Sequence, residues 1–85
     1  MSITPLADKA VERVLEFGAK KHGDLEAGRE IDSHNYTTHA ALHLEYWIEG
    51  HSDKDIETGE HQFAHAIARL KIALEWELRK EQEQA

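Results

Sequence analysis

The sequence predicts an all-α protein, a three-helix chain with a long C-terminal helix that assembles into an oligomeric helical bundle. Three observations predict this fold. Apolar residues recur at steps of three and four along three segments, residues with high helix propensity are plentiful, and the single proline stands where the first segment begins. The 85 residues fit one helical domain, 1–85, with helices expected at about 5–22, 35–49 and 55–80 and a frayed tail at 81–85.

The first helix is expected to begin at Pro5 with Thr4 as its N-cap, because a proline at the first helical position loses no hydrogen bond. It is expected to end near Gly23, after a basic run that suits the negative end of the helix dipole. That run comprises Lys20, Lys21 and His22. The apolar face of the helix comprises Leu6, Ala10, Val14 and Phe17.

The second helix follows a polar connection. Residues 23–34 contain two glycines and four acids without a sustained period, which is typical of a loop. One of Asp32, Ser33 and Asn35 is expected to cap the helix that follows. The apolar face of this second helix comprises Tyr36, Ala40, Leu44, Trp47 and Ile48.

The third helix is expected from Asp55, behind a cap at Ser52 or Asp53, and it carries apolar side chains on two faces. The main stripe comprises Ile56, Phe63, Ile67, Leu70, Leu74 and Leu78, and the second set comprises Ala68, Ile72 and Trp76. A helix that is apolar on two faces needs two partners, and the rest of this short chain supplies one. We therefore expect a homodimer or a higher homo-oligomer.

Charge and composition exclude several classes of function. With 17 acidic against 10 basic residues, the formal net charge is −7, which disfavours a nucleic acid polymer as a partner. A nucleotide stays possible, because a bound divalent cation can mediate the contact. The chain has no cysteine, no apolar run long enough to span a membrane and no signal-peptide pattern at its start. We therefore expect no membrane association and a cytoplasmic location.

Histidines recur at a spacing of four on the second and third predicted helices. His39 and His43 lie one turn apart, and Glu57, His61 and His65 repeat that spacing. Facing helices of a bundle commonly hold metal ions between inward histidines and carboxylates, so His43, Glu57, His61 and His39 are candidate metal ligands. The alternative is that these histidines are surface or half-buried residues without a ligand.

Several other residues admit a structural explanation beside a functional one. The acids at the start of the third predicted helix can hold Mg²⁺ or Mn²⁺, which prefer oxygen ligands. For Asp53, Asp55 and Glu60 we prefer compensation of the helix dipole as the explanation, whereas Glu57 shares a face with His61. Lys20 and Lys21 can contact a phosphate, although basic residues are also common at helix C-termini. Trp47 can stack on a base, although core packing explains it as well.

Two segments, VLEFGAKKHGD and NYTTHAALHLEYWIEGHSDKDIETGEHQFAHAIARL, resemble the phage and prophage domain known as dATP/dGTP diphosphohydrolase, N-terminal. The residues that carry the resemblance are Gly18 to Gly23, Ala40, His43, Asp55, Glu57, Thr58, Gly59, His61, His65 and Ala66. The resemblance covers about residues 11–75. The chain is more distantly similar to the all-α nucleotide pyrophosphohydrolases of the MazG type.

The resemblance implies a metal-dependent pyrophosphohydrolase that converts dATP or dGTP to the monophosphate and pyrophosphate in phage nucleotide metabolism. A divalent ion (Mn²⁺, Mg²⁺, Co²⁺ or Zn²⁺) held by His43, Glu57 and His61 would activate water. Glu57 and His65 are the implied catalytic residues, and the lysines that end the first helix would contact the phosphates. Two alternatives stay open: a non-catalytic phage protein that sequesters a metal or a nucleotide, and a structural oligomerisation module whose histidines are incidental.

Overall fold

The fold consists of three α-helices. A computed structural model describes residues 1–23 and 30–84, and these ranges contain no strand. Helix α1 spans Pro5–His22, α2 spans Ser33–Ile48 and α3 spans Gln62–Gln84. The prediction of an all-α, three-helix chain is confirmed, whereas the assembly of several copies stays a prediction. In the described part of the chain, no helix combines the length and the apolar character that a membrane crossing requires.

Helix α1 begins at Pro5, and its first turn is closed by the backbone N–H of Asp8, which donates to the carbonyl oxygen of Thr4 at 2.9 Å. The Thr4 side chain does not cap a backbone amide. Its hydroxyl donates to Oδ1 of Asp8 at 3.0 Å instead. At the other end, the N–H of Gly23 donates to the carbonyl oxygen of Ala19 at 2.8 Å. Gly23 itself has a φ of 81°, which is not helical, so the helix ends directly after its basic last turn.

Helix α2 is capped by Asp32, whose carboxylate accepts the backbone N–H of Asn35 at 3.1 Å. This aspartate is one of the three caps that the sequence offers. Ile31, directly before the cap, is buried, as is Ala40 in the middle of the helix. Most of the predicted loop between α1 and α2, residues 24–29, lies outside the described residues.

Helix α3 begins later along the chain than the sequence pattern predicts. The sequence pattern predicts a helix from Asp55, but α3 begins at Gln62. Residues 53–61 form a hydrogen-bonded turn instead, in which Lys54 and His61 make an isolated antiparallel bridge. The N–H of Asp55 donates to the carbonyl oxygen of Glu60 at 2.9 Å across this turn. The main stripe therefore loses its first predicted member, Ile56, which precedes α3.

The turn forms because its own side chains satisfy the backbone better than a helix would. The carboxylate of Asp55 accepts the N–H groups of Glu57 and Thr58 at 2.9 and 3.2 Å, which is the way in which aspartate competes with helix formation. Gly59 then adopts a φ of 74°, a left-handed conformation that glycine reaches without steric cost. Side chains before Gln62 consequently do not follow the helical spacing of those after it.

The C-terminal end of α3 also differs from the expectation. The predicted helix ends near residue 80 and a frayed tail follows, yet α3 continues to Gln84. Two ion pairs stabilise the last turns: Arg79 with Glu75 at 2.6 Å and Lys80 with Glu77 at 2.6 Å. Residue 85 lies outside the described residues.

Helix α3 packs against both other helices. The buried cluster between α1 and α3 contains Val11, Val14, Ala64 and Ala68, so small side chains let the two backbones approach. By contrast, large apolar side chains of α3 are substantially exposed. We call Phe63, Ile67, Leu70, Leu74 and Leu78 the α3 stripe.

Candidate metal centre

Three side chains from three parts of the chain converge on one point. Helix α2 contributes His43, the turn before α3 contributes Asp55, and α3 contributes His65. One potential ligand atom of each lies within 4.8 Å of the others. The two imidazole rings are stacked, with centroids 4.6 Å apart and an interplanar angle of 20°. Two nitrogen donors and one carboxylate form a donor set that suits divalent Zn, Mn, Co or Fe.

A buried glutamine orients the first histidine. Nδ1 of His43 lies 2.6 Å from Oε1 of Gln62, and Gln62 is the first residue of α3. An amide oxygen only accepts, so the ring donates its Nδ1–H and leaves the lone pair of Nε2 available. Metal-binding histidines usually have this kind of partner on the nitrogen that does not bind the metal.

The second histidine is held by the turn. Nε2 of His65 lies 2.6 Å from Oγ1 of Thr58 and 3.7 Å from Oδ1 of Asp55. The Thr58 oxygen also accepts the N–H of Glu60 at 3.1 Å, which fixes its position. Nδ1 of His65 is buried and has no hydrogen-bond partner among the described residues. A metal ion or a polar ligand group beside this ring would satisfy that atom.

Burial decides the charge of His65. The residue is only 4% exposed, and this desolvation lowers the pKa of its imidazole below the ordinary value, although the Asp55 carboxylate opposes the shift. A lowered pKa keeps the ring neutral near pH 7, which is the form that binds metals. The fit between these residues and a divalent ion therefore rests on the donor set, the unsatisfied Nδ1 and the neutral ring.

The cluster of His43, Asp55 and His65 lines a cavity between the helices, about 160 Å³ in volume. Both signs of charge contribute to its wall. Its other polar lining residues are Lys21, His22, Tyr36, Glu57 and Arg69. Nζ of Lys21 contacts Oε1 of Glu57 at 2.8 Å, which joins the end of α1 to the turn before α3. The cavity therefore brings candidate metal ligands and basic side chains together in one place.

A second cavity, about 530 Å³ in volume, adjoins the cluster as well. It shares His43 and Asp55 with the first cavity. The remainder of its lining comprises His39, Leu42, Tyr46, Ser52, Lys54, Ile56 and Gln62. The cluster therefore adjoins both a small polar cavity and a larger, more apolar one.

The structure separates the residues that the histidine spacing groups together. His39 is exposed and lines the second cavity, outside the cluster. The ring of His61 lies against Phe63, with centroids 4.7 Å apart, and its Nδ1 accepts the Phe63 N–H at 3.0 Å. Glu57 and His61 precede α3, so they do not continue a helical ladder to His65. Of the four candidate metal ligands, His43 alone belongs to the cluster among the described residues.

The predicted substrate-binding residues also take different positions. Lys21 lines the first cavity, whereas Lys20 lines neither of the two cavities. Trp47 lines neither cavity and packs on Phe63 with ring centroids 4.7 Å apart, in a contact that leaves the two residues 39% and 41% exposed. Of the three predicted substrate-binding residues, Lys21 is thus the one that lines the same cavity as the cluster.

Four residues of this site are not among the site residues predicted from the sequence: Asp55, Thr58, Gln62 and Arg69. Asp55 and Thr58 nevertheless belong to the segment Asp55 to Gly59 that carries the family resemblance, and aspartate and glycine are both residues typical of turns. Periodicity offers no signal for Gln62 or Arg69, which look like ordinary polar helix residues.

Comparison with known proteins identifies the family. No curated protein and no solved structure matches the chain significantly. The family described as dATP/dGTP diphosphohydrolase, N-terminal, matches residues 1–85, the whole of this sequence. This match confirms the resemblance seen in the two motif segments. The chain therefore belongs to the dATP/dGTP diphosphohydrolase, N-terminal, family.

Proposed function

We propose that the protein is a metal-dependent hydrolase that cleaves dATP or dGTP to the monophosphate and pyrophosphate. The observation that carries the proposal is the convergence of His43, Asp55 and His65 on a cavity whose wall also holds basic side chains. The family description supports the substrate class. A phage role in nucleotide metabolism, in the host cytoplasm, belongs to the same proposal.

The proposed metal ligands are His43, Asp55 and His65, and they replace the set expected from the histidine spacing. A divalent ion bound there would supply Lewis acidity and lower the pKa of water. Gln62 and Thr58 keep the two imidazoles in place through their hydrogen bonds. Asp55 is held by the backbone N–H groups of its own turn, so its carboxylate needs little reorganisation.

Glu57 is the proposed proton acceptor. It lines the same cavity as the cluster, and Lys21 holds its carboxylate in place at 2.8 Å. Its carboxylate oxygens would accept the proton that a water molecule loses as it attacks. Lys21 lies where it would also contact a phosphate.

The second cavity is the proposed site of the deoxynucleoside. Its volume of about 530 Å³ lies in the range of small-molecule sites, and its wall includes Leu42, Tyr46 and Ile56. A base placed there would leave the phosphates on the side of His43 and Asp55, which line both cavities. This replaces Trp47, which packs on Phe63, as the aromatic contact for the base.

The test is an assay of turnover with defined metals. The purified chain is incubated with each of the four deoxynucleoside triphosphates and Mn²⁺, Mg²⁺, Co²⁺ or Zn²⁺, and the products are separated by chromatography. Chelator-sensitive formation of dAMP or dGMP with pyrophosphate is the expected result. Intact triphosphates under every metal would overturn the proposal. His34→Ala serves as a control and should keep full turnover, because His34 is exposed and lines neither of the two cavities.

One contact favours a second candidate function, a protein that sequesters a metal or a nucleotide without cleaving it. Glu57 is already engaged by Lys21, so the carboxylate oxygen in this contact is not available to accept a proton from water unless the contact opens. Such a protein would show ligand-dependent thermal stabilisation without product. The turnover assay distinguishes the two functions. Ligand binding stabilises the fold in either case, but only a hydrolase releases pyrophosphate.

A further inference from the structure

Arg69 presents an unsatisfied donor at the wall of the first cavity. Its Nε atom is buried and has no hydrogen-bond partner among the described residues, and the residue lines the same cavity as the cluster. A buried N–H group without an acceptor is costly, and few are left so in native proteins. The acceptor that completes Arg69 is therefore expected to be a molecule that enters the cavity.

A second buried polar atom near Arg69 also lacks a hydrogen-bond partner among the described residues. His65 is four residues before Arg69, one turn earlier on the same face of α3, and its Nδ1 also lacks a partner in the described part of the chain. His65 is also one of the three proposed metal ligands. Two adjacent unsatisfied polar atoms on one cavity wall indicate a polar occupant that spans from the cluster to Arg69.

The charge of Arg69 indicates what that occupant is. Among the described arginines, Arg13 is paired with Glu60 at 2.7 Å and Arg79 with Glu75 at 2.6 Å. Arg69 has no such ion pair within residues 1–23 and 30–84, although the chain has 17 acidic residues. A guanidinium left without a carboxylate, at a cavity of a protein with net charge −7, favours an anionic ligand.

We propose that Arg69 binds phosphoryl oxygens of the substrate's triphosphate; the identity of this substrate rests on the proposed function. The planar guanidinium presents N–H donors in a fork that matches two oxygens of one phosphoryl group. Lys21 is held by Glu57, whereas no carboxylate among the described residues pairs with Arg69, so the guanidinium offers its positive charge to a ligand in the cavity. Arg69 is thus a substrate-binding residue that the sequence pattern does not single out.

The test measures binding of inorganic triphosphate with Mg²⁺ by titration calorimetry, since this probe has no base and no ester bond to the nucleoside. Arg69→Gln is expected to lower the affinity about tenfold or more, because charged hydrogen bonds are lost. Arg69→Lys keeps the charge but loses the fork, so its affinity should lie between the two. The matched control is Arg79→Gln, which removes the same charge from the surface of the same helix and should bind like the wild type.

Two further measurements make the result specific. Circular dichroism and Zn²⁺ affinity of Arg69→Gln should match the wild type, because Arg69 is not a proposed metal ligand. Equal triphosphate affinity of the wild type and Arg69→Gln, or no triphosphate binding by the wild type, would overturn the proposal. Arg69-dependent binding without cleavage of dATP or dGTP would contradict the proposed function and leave the triphosphate-binding role of Arg69 intact.

Discussion

His43 and His65 meet face to face, yet the protein controls each ring differently. His43 is half-buried and is oriented by the Gln62 side chain at 2.6 Å. His65 is buried, so desolvation lowers its pKa and keeps it neutral. The two rings and the Asp55 carboxylate thus form an arrangement that would suit a divalent ion.

The first prediction separates this cluster from the sequence-based ligand set. His43→Ala is expected to lower Zn²⁺ affinity about tenfold or more, because it removes one of three proposed ligands. His61→Ala should keep the wild-type affinity, since His61 packs against Phe63. Competition with a chromogenic chelator measures both, and circular dichroism checks that the helices persist. A larger loss in His61→Ala than in His43→Ala would contradict the cluster.

The second prediction concerns the ion pair between α1 and the turn. Two hydrogen bonds from Arg13, at 2.7 and 3.0 Å, hold the pKa of the Glu60 carboxyl below its ordinary value. The unfolded chain therefore takes up this proton first as pH falls. The contribution to stability is complete above the unfolded pKa of Glu60 and is lost as pH falls through the folded one.

Replacing the arginine should reverse the shift. In Arg13→Gln the pKa of Glu60 is expected to rise toward its ordinary value, as measured by NMR titration of the side-chain carboxyl carbon. Arg79→Gln is the control, because Arg79 pairs with Glu75 on α3. An unchanged Glu60 pKa in Arg13→Gln would show that Arg13 does not hold the carboxylate in solution.

The sequence predicts the three helices well, because the periodic apolar residues and the residues typical of helix ends indicate the same segments. Pro5 and the basic last turn mark α1, and Asp32 marks the start of α2. In the region before α3 the sequence pattern predicts a helix where the structure has a turn, and the reason is local. Its apolar and histidine spacing fits a helix, but the Asp55 carboxylate and Gly59 favour a turn, and periodicity does not register either effect.

The later start of α3 explains why the observed cluster differs from the metal ligands that the histidine spacing predicts. The i, i+4 rule that groups Glu57, His61 and His65 holds within a helix. Once α3 begins at Gln62, the rule no longer relates the first two to the third. Asp55 reaches the cluster through the fold of its turn, a long-range consequence that spacing along the chain does not contain.

The third prediction tests the turn with two glycines. Gly59→Ala is expected to destabilise the protein by about 1 kcal/mol, because an alanine at a φ of 74° is strained. Gly18→Ala, in the middle of α1 with nothing within 4 Å of the added methyl group, should stabilise it by about 0.5–1 kcal/mol. Urea unfolding followed by circular dichroism measures both changes. Equal effects of the two substitutions would contradict the left-handed turn at Gly59.

At the scale of the whole molecule, the described core is small and the apolar surface is large. The buried apolar residues are mostly valine and alanine, while the five side chains of the α3 stripe are 41–58% exposed. A contiguous apolar stripe on a chain of this size favours association. A second copy remains the predicted partner, since the same stripe on two chains forms a self-complementary interface.

The fourth prediction is therefore a homo-oligomer that depends on the α3 stripe. Sedimentation should give a mass of at least two chains, and Leu74→Glu should shift it toward one chain because a charge replaces an apolar contact. Glu81→Gln, on the same helix outside the stripe, serves as the control. A wild-type protein that sediments as a single chain at micromolar concentration would contradict the prediction.

NMR of the seven histidine side chains during Zn²⁺ titration would show whether His43, Asp55 and His65 bind a divalent ion. Coordination changes the ¹⁵N shift of the ligating ring nitrogen, so the spectrum reports which histidines bind. We expect the signals of one nitrogen of His43 and one of His65 to shift together and to saturate at one ion per chain. A response of His61 in place of His65, or of no histidine, would contradict it.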